Sequence, residues 1–76
     1  MNFSKALEAL KNGDKVSREN WNGKNMWIEI QTPDNWIEIQ TPEPYIFMKT
    51  VDGNLVPWLA SQTDLLSNDW NIIIDN

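Results

Sequence analysis

The sequence predicts an α+β domain with an N-terminal helix, a mostly antiparallel sheet of about five strands and a short late helix. Three observations predict it. Apolar residues recur at helical spacing near the N-terminus, apolar and polar residues alternate in the middle, and an Asp-Gly turn signal separates two apolar runs. A chain of 76 residues fits one hydrophobic core, so we expect residues 1–76 to form a single domain.

One apolar stripe predicts the first helix, and such a stripe is typical of core packing. Its members recur at i, i+3, i+4 and i+7: Phe3, Ala6, Leu7 and Leu10. Asn2 or Ser4 has the side chain needed to cap the first turn. Gly13 suits the positive φ with which many helices end, so we expect the helix to stop just before it.

A short strand candidate, Lys15–Arg18, follows this helix. Residues 20–24 read Asn-Trp-Asn-Gly-Lys, which is turn chemistry, because Asn-Gly readily adopts positive φ. Loops run over the surface, so a tryptophan inside one needs an explanation. Trp21 either folds back onto the core or lines a pocket.

The middle of the chain contains an internal repeat. The heptapeptide WIEIQTP occupies residues 27–33 and again residues 36–42. Each copy alternates apolar and polar residues, which is the period of a half-buried strand. Nine residues are too few for a solenoid repeat. We therefore interpret the two copies as the strands of a hairpin.

A two-residue turn at Asp34-Asn35 would place Ile30 opposite Ile39 and Ile28 opposite Thr41. The isoleucines then share one face of the hairpin, and the tryptophans of both copies share the other, where protomers could meet. In the alternative interpretation only one copy lies in the sheet and the other is a loop made by a short duplication.

The next strand is predicted at Tyr45–Val51, before the hairpin signal Asp52-Gly53. The chain then turns into a strand at Asn54–Val56. Pro57 has no backbone N–H to donate, so it either ends that strand or marks it as an edge strand.

Ser61–Asp64 reads S-x-x-D, which resembles a capping box with Asp in place of the usual Glu. It predicts a short helix from Gln62 to about Asn68. The β-branched run Trp70–Ile74 predicts a last strand, which we expect in the centre of the sheet because its residues are mostly apolar.

Composition excludes several kinds of chemistry. There is no cysteine and no histidine, so the chain cannot build a zinc site from thiolates or imidazoles, or a Ser–His–Asp or Cys–His centre. The carboxylate pairs Glu29/Glu38 and Asp64/Asp69 are conceivable acid–base groups, but strand glutamates usually form a solvated face. We expect no enzyme, no metal and no cofactor.

The net charge of −5 makes the chain a poor general binder of DNA or RNA, because such binding neutralises phosphates. No apolar run in the sequence is longer than four residues, so none is long enough to cross a membrane. No secretory signal pattern opens the sequence, so we expect a cytoplasmic location.

Five tryptophans are many for one small core. They either lie half-buried around its rim or form a ligand site, where indoles stack on nucleotide bases. The predicted helix start at Ser61 offers backbone N–H groups to a phosphate, although Asp64 competes for them. Arg18 is the only arginine, so it would supply any guanidinium fork for phosphate; otherwise it is a surface charge.

Two blocks of this sequence resemble a known family. The N-terminal block holds NFSKALEALKNG at residues 2–13, KVSR at 15–18 and WNGK at 21–24. The C-terminal block holds PYIFMKT at residues 44–50 and VPWLASQTDLL at 56–66, followed by Asp69-Trp70. The chain resembles the Thoeris anti-defence proteins of the second type, which are small phage and prophage proteins. The second WIEIQTP copy has no clear counterpart in the family.

This resemblance implies a ligand-binding domain that acts as a sponge. Such proteins bind the cyclic ADP-ribose isomer that bacterial TIR-domain enzymes make as an alarm signal, and hold it without cleaving it; some relatives take up other cyclic nucleotides. It also implies a homo-oligomer, with a tetramer favoured, in the cytoplasm of the bacterial host, and no DNA, RNA or membrane partner. The alternative is a small acidic module that binds a peptide or a partner protein.

We assign the ligand site by residue as a hypothesis. Trp21 and Trp58 stack on the rings of the ligand. Its ribose and base polar groups are bound by Asn22, Ser61 and Gln62. Arg18, with Lys24, neutralises phosphate. In the alternative interpretation Trp58 and Trp70 pack in the core or at an interface, and Ser61 only caps its helix.

Overall fold

The computed structural model describes residues 1–21, 25–31 and 43–74. Within them the chain forms two helices and five strands, which confirms the predicted α+β class. In chain order the elements are α1 (Phe3–Lys11), β1 (Lys15–Arg18), β2 (Trp27–Gln31), β3 (Tyr45–Lys49), β4 (Leu55–Pro57), α2 (Gln62–Leu66) and β5 (Trp70–Ile73).

Helix α1 begins and ends as its sequence predicts. The side chain of Asn2 accepts a 3.0 Å hydrogen bond from the backbone N–H of Lys5, so Asn2 is the N-cap and Ser4 lies inside the helix. At the other end Gly13 adopts a φ of 95°. The N–H groups of Gly13 and Asp14 donate to the carbonyls of Leu10 and Ala9, which is the Schellman arrangement.

The five strands form one antiparallel sheet in the order β4-β3-β2-β1-β5. The Asp52-Gly53 turn joins β3 to β4, as predicted, with Gly53 at a φ of 89°. Pro57 lies in β4, an edge strand of this sheet, where its missing N–H costs no ladder hydrogen bond.

The prediction that the last strand is central is wrong, because β5 forms the other edge of the described sheet. Only Trp70 of this strand is fully buried, whereas Ile72 is 42% exposed and the following Ile74 is 78% exposed. The free edge is partly covered by the first residue. The backbone N–H of Trp70 donates to the carbonyl of Met1 at 3.0 Å, and the N-terminal ammonium of Met1 donates to the carbonyl of Trp70 at 2.9 Å.

The predicted pairing of the WIEIQTP repeat is also wrong for the first copy. Strand β2 pairs with β3, so that Ile30 lies opposite Ile46 and Ile28 opposite Met48. The other neighbour of Ile28 is Val16 in β1, which leaves no place beside Ile28 for Thr41. The second copy, residues 36–42, lies outside the described residues, so its conformation stays a prediction.

Alternation along β2 does divide its residues between two faces. Ile28 is buried in the core, and Ile30 packs against it. Trp27 lies on the opposite face, where its ring is 6.0 Å from that of Phe47 and the Lys15 ammonium lies 4.7 Å from the ring centroid.

The core lies between α1 and the sheet. It is built from residues of α1, β1, β2 and β5, namely Ala6, Ala9, Leu10, Val16, Ile28 and Trp70. Phe3 and Leu7 of the predicted stripe pack against this cluster from the side. Helix α2 is shorter than predicted, because Ser67 leaves the helical conformation and ends it. Neither helix in the described part of the chain has the length and apolar character of a membrane span.

Candidate functional site

Three predicted site residues meet at one carboxylate, although they are far apart in the sequence. Arg18 ends β1, Trp21 follows it, and Ser61 precedes α2. Asp64 Oδ1 accepts hydrogen bonds from Arg18 Nη1 at 2.9 Å and from the Trp21 indole Nε1 at 3.4 Å. Its second oxygen, Oδ2, accepts from the backbone N–H of Ser61 at 3.0 Å.

The capping box predicted for α2 explains why Asp64 is held in this place. Ser61 Oγ accepts a 3.0 Å hydrogen bond from the backbone N–H of Asp64, and the Asp64 carboxylate accepts one from the backbone N–H of Ser61. Two N–H groups at the helix start are therefore occupied by the protein itself. The backbone N–H groups of Ser61 and Asp64 are therefore not free to bind a phosphate, contrary to what we expected of this helix start.

Arg18 is neither a surface charge nor open to solvent, since its side chain is only 9% exposed. Nε donates to Asp69 Oδ1 at 2.9 Å, Nη2 to Asp69 Oδ2 at 3.4 Å, and Nη1 to Asp64. One guanidinium thus faces two carboxylates, and the group carries a net negative charge. This geometry disfavours direct contact between Arg18 and a phosphate, and it gives Arg18 a structural role.

These contacts keep both acids ionised. Burial raises the pKa of Asp64, but hydrogen bonds from Ser61, Arg18 and Trp21 together outweigh it and hold the pKa below its usual 3.8. The hydrogen bond from Arg18 lowers the pKa of Asp69, against a smaller opposing effect of burial, and Asn20 N–H adds to the lowering. Hydrogen bonds to Asp69 and then Asp64 raise the pKa of Arg18.

Four rings lie beside this polar group, and we call Phe3, Trp21, Trp58 and Trp70 the aromatic cluster. Trp70 is fully buried at its centre, which confirms the core interpretation of that residue. The Trp70 ring lies 5.4 Å from Phe3, 5.4 Å from Trp21 and 6.0 Å from Trp58, and both indole neighbours meet it edge to face. Its own N–H donates to the carbonyl of Asp64 at 2.9 Å.

Trp21 and Trp58 share a position at the rim of this cluster. Both are half-buried and both pack against the core, so each presents part of its ring outside. For Trp21, the two alternatives therefore apply together: it folds back onto the core and remains partly accessible. Ser61 and Gln62, a few residues after Trp58, are exposed.

Two predicted site residues, Asn22 and Lys24, lie outside the described residues. The chain on either side of them is fixed by contacts of its neighbours. Trp21 N–H donates to the carbonyl of Arg18 at 3.2 Å. On the far side Asn25 adopts a φ of 63°, and its carbonyl accepts a 2.8 Å hydrogen bond from Lys49 Nζ.

Asp64 and Asp69, the two acids that hold Arg18, were not among the residues predicted for the ligand site. A buried arginine needs paired carboxylates, but the two partners of Arg18 lie 46 and 51 positions later in the sequence, and no local pattern indicates them. Within residues 1–21, 25–31 and 43–74, no three His, Cys, Asp or Glu side chains form a group that could hold a metal ion.

Comparison with known proteins adds independent information on the whole chain. A family model described as the Thoeris anti-defense 2-like domain matches residues 1–73. The chain is also similar to a protein named Thoeris anti-defense 2 from Bacillus phage SP01. The two are 38% identical over an alignment of 84 residues, which covers 96% of this chain and 94% of the relative.

Proposed function

The chain belongs to the Thoeris anti-defense 2-like family, and we propose that it acts as a sponge for a nucleotide signal. It binds a cyclic ADP-ribose isomer made by bacterial TIR-domain immune enzymes and sequesters it without cleaving it. The family membership supports the anti-defence role. The structural observation that supports a ligand site is that Trp21 and Ser61 both bond to Asp64, while Trp21 and Trp58 both pack against Trp70.

The aromatic cluster provides the stacking surface in this proposal. Trp21 and Trp58 each pack edge to face against the buried Trp70, and Trp21 also donates a hydrogen bond to Asp64, so both rings lie against the core before a ligand arrives. Stacking of a base on an aromatic side chain contributes about 1–3 kcal/mol in single-stranded nucleic acid complexes. Rings already held in place lose little conformational freedom on binding, which favours affinity. Asn22, Ser61 and Gln62 bind ribose and base polar groups.

The charge arrangement shapes the proposal for phosphate. Arg18 is already matched by two carboxylates, so it supports the site from behind rather than contacting the anion. Lys24 and backbone N–H groups are the groups we propose for the diphosphate. A small anion does not need contacts with two cationic side chains when hydrogen bonds and stacking contribute most of its affinity.

The lowered pKa values of Asp64 and Asp69 support the proposal that the ligand is bound without being cleaved. A general acid or base works best when its pKa lies near the working pH. The pKa values of Asp64 and Asp69 are lowered instead, and their oxygens are engaged by Arg18, Ser61 and Asn20. Both acids are therefore suited to holding side chains in place and poorly suited to proton transfer at neutral pH.

We propose a homo-oligomer, with a tetramer favoured, in the cytoplasm of the bacterial host. The described helices lie on one side of the sheet. The other side presents the Trp27–Phe47 ring pair, with Tyr45 and Leu55 exposed on neighbouring register positions. Large apolar side chains on a sheet face are typical of protein interfaces, so this face supports the assembly.

Isothermal titration calorimetry with a panel of cyclic ADP-ribose isomers tests the function. We expect at least one isomer to bind with a dissociation constant in the micromolar range or tighter. Heating the complex is then expected to return the isomer intact. Absence of binding by every isomer would overturn the sponge, and recovery of a linear product would identify a hydrolase instead. Native mass spectrometry with and without ligand gives the number of protomers and of bound molecules.

The alternative function is a protein-interaction module. It is favoured by Leu59, which is 92% exposed beside the site, and by Leu66 at the end of α2, which is also largely exposed. The same titrations separate the two functions. A module of this kind would leave every cyclic nucleotide unbound and would keep its partner affinity when Trp21 is replaced by Ala, whereas the sponge would lose its ligand.

A further inference from the structure

We propose that Asp64 is a positioning residue of the ligand site. Through Oδ1 it holds the indole of Trp21 beside the start of α2, in the orientation on which the nucleotide stacks, and it does not itself contact the nucleotide. This inference rests on the proposed function. It adds Asp64 to the residues proposed above for the ligand site.

The two oxygens of Asp64 face different parts of the fold. Oδ2 accepts a hydrogen bond from Ser61 at the helix start, while Oδ1 accepts from Arg18 at the end of β1 and from Trp21 just after it. The Asp64 carbonyl receives the indole of Trp70. Asp64 thus contacts the start of α2, the residues at and just after the end of β1, and the core. A shift of Asp64 would move these three parts of the fold relative to each other.

Trp21 is fixed at two points. Its Nε1 is tied to Asp64, and its ring meets the buried Trp70 edge to face with centroids 5.4 Å apart. A ring contact alone leaves the indole free to slide or turn over on its neighbour. The hydrogen bond removes that freedom, because it fixes the side of the ring that carries the nitrogen. Asp64 is 8% exposed, so little of its surface is left for a ligand to contact.

Because Asp64 is charged, its role can be tested by whether its replacement strengthens or weakens binding of the ligand. The ligand class is anionic, and Asp64 is a negative charge next to the site. If Asp64 acted only through its charge, removing that charge would strengthen binding of the anion. If it positions Trp21, removing the charge and one acceptor oxygen weakens binding. The two roles therefore predict opposite changes in affinity.

The first experiment compares Asp64→Asn with two variants that each remove one negative charge at an exposed position outside the Arg18 network, Asp52→Asn and Glu8→Gln. An amide has one acceptor oxygen, so in either orientation its NH₂ group faces donors that Asp64 now satisfies. Calorimetry uses the cyclic ADP-ribose isomer that the wild type binds most tightly, well below each melting temperature. We expect about tenfold weaker binding for Asp64→Asn, which corresponds to the loss of one charge-assisted hydrogen bond. The two controls are expected to stay within about threefold of the wild type.

The second experiment shows whether Asp64 acts through the indole. Trp21→Phe keeps an aromatic ring and removes the N–H donor, and Trp58→Phe is the matched change on a ring that Asp64 does not hold. We expect the Asp64→Asn effect on affinity to shrink in the Trp21→Phe background and to persist in the Trp58→Phe background. In ligand-free protein, the ¹⁵N–¹H indole resonance of Trp21 is expected to shift in Asp64→Asn and to stay in place in Glu8→Gln.

Each outcome decides between the alternatives. A folded Asp64→Asn variant that binds as well as the wild type, or tighter, overturns the positioning role and leaves the proposed function standing. Additive effects of Asp64→Asn and Trp21→Phe overturn it as well. A wild type that binds no isomer overturns the proposed function and this inference with it. If Asp64→Asn does not fold, Trp21→Phe alone decides, because unchanged affinity in that variant shows that the hydrogen bond has no role in binding.

Discussion

The indole N–H of Trp70 donates a 2.9 Å hydrogen bond to the backbone carbonyl of Asp64. This contact joins the most buried large side chain of the core to the first turn of α2. Helix α2 has five residues, too few to be stable alone. Its position therefore depends on such tertiary contacts, and the residues that surround Asp64 depend on the core in turn.

Replacement of Trp70 by Phe is expected to destabilise the protein by about 2–4 kcal/mol, because it leaves a cavity and removes the indole N–H that donates to the Asp64 carbonyl. Urea unfolding followed by far-UV circular dichroism measures the change. Trp27→Phe is the matched control, since Trp27 is half-buried on the opposite face of the sheet. A loss for Trp70→Phe no larger than that of Trp27→Phe would contradict the central position of Trp70.

Replacement of Arg18 by Ala leaves Asp64 and Asp69 without the cation between them. We expect a clear drop in the urea midpoint, because two carboxylates would then share a partly buried space unpaired. Arg18→Lys is expected to recover only part of it, since an ammonium cannot reproduce the forked contact with Asp69. The control is Lys5→Ala on the exposed side of α1, for which a comparable drop would argue against a special role of the ion pair.

Stability is expected to fall as the pH falls below about 4. Asp64 and Asp69 have pKa values below 3.8 in the folded protein, so the unfolded chain takes up protons first as the solution becomes acidic. Their contribution is complete above 3.8 and is lost as the pH passes through the lower folded values. Melting temperatures measured between pH 7 and pH 2 should show this loss.

The variant Asp64→Asn/Asp69→Asn should melt at a lower temperature near neutral pH and lose less stability on acidification than the wild type. Glu8→Gln, a change of one exposed acid on α1, is the control and should follow the wild-type curve. Equal acid sensitivity in the double variant and the wild type would show that other carboxylates govern the transition.

Replacement of Ser61 by Ala is expected to cost about 1 kcal/mol, since it removes the oxygen that accepts from Asp64 N–H at the start of α2. Ser61→Thr retains a capping hydroxyl and should recover most of the stability. Chemical denaturation measures both variants. The same pair separates the two roles of Ser61 in binding, because a direct ligand contact would also respond to the added methyl group of Thr.

Local signals in the sequence predicted several elements well. The Asn2 cap, the Gly13 end of α1, the Asp52-Gly53 turn and the capping box of α2 each depend on residues within five positions of one another. The Arg18 ion pairs join residues 46 and 51 positions apart, and nothing local to Arg18 indicates its partners. The sequence indicates that Arg18 lies near a site, but it does not show whether the guanidinium binds a phosphate of a ligand or carboxylates of the protein.

Strand pairing was misjudged for a related reason. The two WIEIQTP copies match each other in pattern, and Tyr45–Lys49 offers β2 an equally suitable neighbour. Alternation identifies a strand and its buried face, but it does not identify which strand lies beside it. For β5, the apolar run indicated burial, while the exposed Ile72 shows that one tryptophan accounts for most of the buried part of this strand.

The pairing of β1 with β5 has a consequence for folding. Lys15 lies opposite Ile73, so the sheet joins residues almost sixty positions apart, and the last strand also delivers Trp70 to the core. Contacts of this range form slowly, because a long stretch of chain must close before they contribute. A growing chain that ends before residue 70 has an unpaired edge on β1 and an open core. Cooperative folding therefore requires that the chain has been synthesised at least as far as β5.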